Sequence, residues 1–273
     1  MEPAAAFTAL VLAGRRGPID TLAQSAGCSH KALVPVEGVP MLVRVIRCLR
    51  AVPGIRRIVV STDDPAALQS LPEIRALFAA DELSFHLATG RSPAGSALGY
   101  FQSLPSGEPL LVTTADHPLL TPEMVGHFCT AAARSDADVV AGAVSASLFR
   151  AHYPHSKRSF IPLRGESFCG TNLFALLTPR AASAVAFWIH AGQFRKRPWR
   201  LIRVFGLLTL VLAALRRLDL QTGLARVSRV IGARIAVVPM PFPECAIDVD
   251  TPDDLATASR ILAARAAIPP PLP

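Results

Sequence analysis

Three stretches of the chain carry the residue types that phosphate chemistry needs. The first is Leu12-Ala13-Gly14-Arg15-Arg16-Gly17, followed by His30-Lys31-Ala32-Leu33-Val34-Pro35. A glycine at a strand end lets backbone N–H groups approach phosphate oxygens, and neighbouring arginines pair with those oxygens bidentately. Lys31 offers a compact positive charge for an α-phosphate whose negative charge grows during displacement. Lysine is scarce here, the others being Lys157 and Lys196, so a lysine is less readily dismissed as an arbitrary surface choice. By itself, a Gly-Arg-Arg-Gly loop is more often a solvated turn. It is also neither a Walker loop nor a G-x-G-x-x-G fingerprint.

The second stretch is Thr113-Thr114-Ala115-Asp116-His117-Pro118. A carboxylate at the end of a buried strand is well placed to hold Mg²⁺ against phosphate oxygens. An aspartate capping the turn before a proline-bearing loop is an equally good account. The third runs from Ala246 to Leu255 and contains Asp248, Asp250, Asp253 and Asp254. Thr251 reads as a helix N-cap, Pro252 as its first residue, and Asp253 and Asp254 as acids favouring the helix dipole. That leaves Asp248 and Asp250, which alternate on an apolar stretch and would share one face of a strand.

Leu-Ala-Gly at 12–14, followed by Lys-x-Leu-x-Pro-x-x-Gly-x-Pro-Met-Leu at 31–42, resembles the opening of the MobA-like nucleotidyltransferases. That family is similar in fold to the GT-A glycosyltransferases. The resemblance implies that Leu12, Ala13, Gly14, Arg15, Arg16 and Lys31 form the triphosphate loop. It implies that Asp116 is a metal ligand. The segment at 248–255 is similar to the Asp-x-Asp-Thr-Pro-Glu-Asp-Leu string that supplies a second metal contact, with Asp250 ranked ahead of Asp248. Ser92, Gly95 and Ser96 fall where relatives read the base and ribose, although a plain loop with a helix cap explains them equally well. Asn172 falls where relatives contact the acceptor, and an asparagine in a turn is at least as good an account of it. The chain departs from the family in its first loop, where arginines follow Gly14 directly and the path to Lys31 is longer.

The implied activity is Mg²⁺-dependent transfer of a nucleoside monophosphate from a nucleoside triphosphate to a phosphate-bearing acceptor, releasing pyrophosphate. A GT-A-type glycosyltransferase would be expected to carry a mid-chain Asp-x-Asp and to lack the Lys31 segment. A non-catalytic nucleotide-binding protein at a membrane surface is the alternative from another class.

These residues need a scaffold that gathers them. Apolar runs at 9–14, 58–60, 83–87, 110–114, 138–140, 173–177 and 235–238 read as strands. Helical patterns lie between them, starting near Pro40, Thr121 and Pro179, with a last helix from Pro252. Alternating strands and helices imply an α/β, Rossmann-like, doubly wound, mostly parallel sheet, in which ligands sit beyond the carboxyl ends of the strands. Gly14 and Asp116 both fall there. Residues 1–267 read as one domain with a basic helical insertion at about 194–233, and 268–273 as a disordered proline-rich tail.

Bulk properties narrow the setting. Glu2 and a short apolar run do not make a signal peptide, and no stretch has the ~18 apolar residues of a membrane span. Five scattered cysteines without a C-x-x-C pair suit a reducing compartment, so a cytoplasmic location is expected. A net charge of +8 attracts phosphates, but no basic stretch carries the interleaved aromatics of a nucleic-acid groove. Basic groups flanking an apolar run at 195–217 suit contact with the inner membrane surface, while a helix packed on the sheet gives the same pattern more commonly. The sequence is silent on oligomeric state.

Overall fold

The computed structural model describes residues 6–15, 17, 20–88, 92–156, 158–191, 215 and 217–267. Its centre is an eight-stranded sheet in the order β10-β7-β9-β6-β1-β4-β5, with β8 paired to β9. The strands are β1 (Phe7–Leu12), β4 (Ile55–Thr62), β5 (Leu83–Leu87), β6 (Leu110–Thr114), β7 (Val139–Ser145), β8 (Ile161–Pro162), β9 (Ser167–Leu176) and β10 (Ile235–Pro239). Strands β2 (Pro35–Val36) and β3 (Val39–Pro40) form a separate hairpin. Its turn residues Glu37 and Gly38 both have positive φ, which the Pro-x-x-Gly-x-Pro stretch accommodates through glycine at the second position.

β1 is buried almost throughout because helices cover both faces of the sheet, as its unbroken apolar run requires. Leu10, Val59, Val112 and Leu176 face one layer with Ala97 and Ala181. Ala9, Val11, Val60 and Leu111 face the other, against Leu42, Ile46 and Phe128. The helix Met41–Arg50 starts after Pro40 and buries Met41, Leu42, Val45, Ile46 and Leu49, while Arg44 reaches back to the Val36 carbonyl at 2.6 Å. In the parallel part, Leu12 stands opposite both Ser61 and Thr114, so three strands end level at one edge.

Two departures from the sequence reading matter. β9 runs antiparallel to both β6 and β7 and is ten residues long, about twice the expected stretch. Residues 247–250 are not a strand: they follow a 3₁₀ turn, Pro243–Ala246, and Val249 donates to the Asp116 carbonyl, just past the end of β6, at 2.9 Å. Ile247 and Val249 are fully buried, as in a strand, but without a ladder their neighbours need not share a face. Within the stretch expected to be a helical insertion, the described residues contain the helix Leu220–Ile231, closed by Gly232 in the left-handed conformation. Residues 192–214, most of the candidate membrane-contacting stretch and the tail 268–273 lie outside the described residues. Among the described residues no helix is long and apolar enough to cross a membrane.

Candidate active site

A cleft of about 540 Å³ opens where β1, β4 and β6 end, and Gly14, Lys31, Ser96, Asp116 and Asp250 are among its walls. Lys31 stands on a 3₁₀ turn, Lys31–Leu33, whose start is fixed by His30: the buried imidazole Nδ1 accepts the Ala32 N–H at 3.0 Å. Asp116 is placed by β6, which continues past its last residue through a bond from Ala115 N–H to the Leu12 carbonyl. Asp250 arrives because Val249 docks on the Asp116 backbone. The Lys31 ammonium lies 2.6 Å from Asp116 Oδ2 and also hydrogen-bonds Asp250 Oδ1. Burial alone would lower the Lys31 pKa, but the two carboxylates outweigh it and raise the value, so the ammonium stays charged. Asp116 is nearly buried, whereas the Asp250 side chain is 44% exposed and can meet a ligand.

The other predicted residues of this side divide. Leu12, Ala13 and Gly14 line the cleft. A methyl group at position 14 would meet Ala88 at 3.7 Å, an ordinary contact, so the protein's own packing does not demand glycine there. Arg15, expected to face phosphate, lines the cleft but pairs with carboxylates: its Nε is 2.7 Å from Asp63 Oδ2 and its Nη2 3.4 Å from Asp64. Its backbone N–H also donates to Asp63, which explains the choice, because the residue that anchors the loop to the end of β4 captures the guanidinium too. The hydrogen bond to Asp63 raises the Arg15 pKa. Arg16 lies outside the described residues. Ser92 caps the helix Pro93–Ser103 by accepting the Gly95 N–H at 3.1 Å, and with Ser96 it also borders the cleft. Cap and wall are therefore the same residue.

A second cavity of about 260 Å³ adjoins the first, lined by Arg158, Ser159, Cys169, Gly170, Asn172 and Asp248, with Asp250 common to both. Asn172 is delivered by an irregularity in pairing. Ala141 faces Phe174 and Ala143 faces Gly170, so the single residue Gly142 opposes Thr171, Asn172 and Leu173. Thr171 packs on Gly142 so closely that a Cβ there would overlap its hydroxyl oxygen. Such a bulge re-aims side chains at the end of a strand. Asp248 does not join Asp250 at Lys31, contrary to the shared-face expectation. Its carboxylate pairs with Arg158, and burial pushes its pKa up with Arg158 opposing. His117 is fully buried and neutral, its pKa pushed down to about 4 by burial.

Among the described residues no group of three or more His, Cys, Asp or Glu side chains converges on one point. Asp116 and Asp250 do converge, since both reach one ammonium. Two carboxylates completed by substrate phosphates are the usual protein share of a Mg²⁺ site, so the donor set fits that ion.

The sequence reading gave no role to Asp63, His30 and Arg158, which line the two cavities. The position of His30 directly before Lys31 was a usable signal for the second. Arg158 lies in a loop without periodicity and gave none.

The chain is similar to a hypothetical transferase structure from Thermus thermophilus, with 29% identity and a TM-score of 0.72 over 92% of this chain and 99% of that one. It shares its fold with a CMP:2-keto-3-deoxy-manno-octonic acid synthetase complexed with CTP, at 15% identity and a TM-score of 0.57 over 96% and 100% of the two chains. It also shares it with 4-diphosphocytidyl-2C-methyl-D-erythritol synthase from Anaerococcus prevotii DSM 20548, at 10% identity and a TM-score of 0.59 over 95% and 97%. No curated protein sequence matches the chain. The model of the MobA-like NTP transferase domain matches residues 9–235, and the chain therefore belongs to the MobA-like NTP transferase family.

Proposed function

We propose that the protein transfers a nucleoside monophosphate from a nucleoside triphosphate to a phosphate-bearing acceptor, with Mg²⁺ and release of pyrophosphate. The observation that carries this reading is the meeting of Lys31, Asp116 and Asp250 where two cavities join. The larger cavity takes the triphosphate and the smaller one the acceptor. Lys31 stays protonated and supplies fixed positive charge beside the α-phosphate, where negative charge grows as the leaving group departs. The backbone at Leu12, Ala13 and Gly14 orients the phosphates, and Ser92 and Ser96 contact the nucleoside. Asn172 orients the acceptor, whose phosphate is already ionised near neutral pH and needs no dedicated base. Asp116 and Asp250 would hold the Mg²⁺, which supplies charge neutralisation on the phosphates when bound. The protein's share is thus orientation and electrostatics.

Two of the structural neighbours carry cytidine nucleotides in their names, which makes CTP the first triphosphate to try. Calorimetric titration with each of the four ribonucleoside triphosphates, with and without Mg²⁺, tests the first half of the reaction. Preference for one of them, with a strengthening by Mg²⁺ that is lost in Asp116→Ala, supports the reading. Binding of nucleotide sugars but of no triphosphate would overturn it in favour of glycosyl transfer.

A further inference from the structure

Beside the residues assigned to substrates, a polar cluster brackets Asp250 on both sides. Arg158 comes from the loop between the helix Ala146–His152 and β8. Its Nη1 donates to Asp248 Oδ1, and its Nη2 donates to the Asp248 carbonyl and to Asp254 Oδ1, both at 2.9 Å. The other Asp254 oxygen accepts the backbone N–H of Thr251 at 3.0 Å, that of Asp250 at 3.3 Å, and the Thr251 hydroxyl at 2.7 Å. Thr251 Oγ1 in turn accepts the Asp254 N–H at 3.2 Å. This is a capping box at the start of the helix Pro252–Ala267, with aspartate in the place usually held by glutamate. Residue 248 on one side of Asp250 and residues 251 and 254 on the other are thereby joined through one guanidinium.

Stability alone is a poor account of this arrangement. The Arg158 side chain is largely buried, and its Nε makes no hydrogen bond. An orphaned buried donor is costly, and buried ion pairs seldom exceed a well-packed apolar replacement in stability. What the guanidinium does supply is geometry, because its rigid planar fork fixes the directions in which three acceptors are held, whereas a lysine ammonium is a rotatable point charge. The segment it braces has no ladder to define its path.

We infer that Arg158 is a positioning residue for Asp250, holding that carboxylate at the border of the nucleotide cleft and the acceptor cavity. The inference rests on the reading of Asp250 as a carboxylate that meets the reacting phosphates. Arg158 does not line the nucleotide cleft, so its loss leaves triphosphate binding in the absence of metal unchanged.

The test uses the full chain with Arg158→Lys, which keeps the charge, and Asp254→Asn, which breaks the cluster from the other side. Amide hydrogen exchange at residues 249–251 reads the brace without any substrate, and thermal unfolding verifies that each variant is folded. Exchange there should accelerate about tenfold or more in both variants, the effect of losing hydrogen bonds to charged groups. Turnover should fall about 10²-fold, as displacement of a catalytic group by about an ångström does, with metal-free triphosphate affinity retained. The double variant should be little worse than either single one, because the residues act as a unit. Unchanged exchange at 249–251, or accelerated exchange with normal turnover, would overturn the inference. A wild-type protein that releases no pyrophosphate would sink the transferase reading instead, while exchange would still decide whether Arg158 braces the loop.

Discussion

Around the nucleotide cleft, side chains stand at the ends of parallel strands: the loop after β1, Asp63 after β4 and Asp116 after β6. Around the smaller cavity they stand on an antiparallel strand interrupted by a bulge, on an irregular segment and on a loop. The first region is positioned by a rule of the architecture, which carries the carboxyl ends of the parallel strands to one side of the sheet. The second is positioned by individual contacts: Thr171 on Gly142, Val249 on the Asp116 carbonyl, and Arg158 on Asp248 and Asp254. On the proposed function, contacts held one by one in this way let the acceptor side change without rebuilding the sheet that positions the nucleotide side.

The comparison breaks most severely at Asp116, which serves both regions through its side chain and its backbone. Asp116→Ala should lower single-turnover rates by about 10³-fold, with little change in metal-free triphosphate affinity. Unchanged turnover would remove Asp116 from the chemistry. Lys31→Ala should lower the rate at saturating triphosphate by about 10²-fold. A loss confined to KM would mean that Lys31 binds the ground state and transition state equally.

Gly142→Ala probes the acceptor side alone. The new methyl group must displace Thr171, at a cost of about 1–3 kcal/mol for overpacking a core, and Asn172 should shift with it. Urea denaturation and steady-state kinetics should therefore show lower stability and a raised acceptor KM, with triphosphate affinity unaltered. Equal damage to both substrates would show that the regions are not separate.

His30 sharpens the nucleotide side. Burial lowers its pKa below the ordinary value of 6.5, so the stability it contributes is fully present above 6.5. That contribution is lost as the pH falls from there through the depressed folded value. Protonation also removes the Nδ1 acceptor that caps the Lys31 turn. Triphosphate affinity and melting temperature should both decline below about pH 6.5, and His30→Asn, whose side chain can cap without titrating, should flatten the decline. The smallest effect belongs to Arg15→Ala. The pair it forms with Asp63 is partly exposed, so chemical denaturation should register less than about 1 kcal/mol.

Legibility in the sequence followed the same division. The apolar runs of β1, β5 and β6, the Thr121-Pro122 helix start and the Pro252 helix start could be read because each is a local pattern. The cleft residues came with them, since a strand end locates whatever follows it. The direction of β9 was not readable: its buried Leu173 and Ala175 alternate in the same way whichever way the strand runs. The alternation Ile247, Val249 was correctly apolar, yet one bond to Asp116 replaced the ladder, and so Asp248 and Asp250 parted. Arg158 and Arg15 were decided by partners distant in sequence, which no local pattern encodes.

The place of β9 also bears on how the molecule assembles as it is made. Among the described strands, β7 and β10 reach the rest of the sheet through β9, while β1, β4, β5 and β6 pair among themselves and are complete by Thr114. During vectorial synthesis the early half can pair as it emerges, but β7 has to wait, one strand's width from β6, until residues 167–176 follow it. Closure of that gap is the step at which two partial sheets become one.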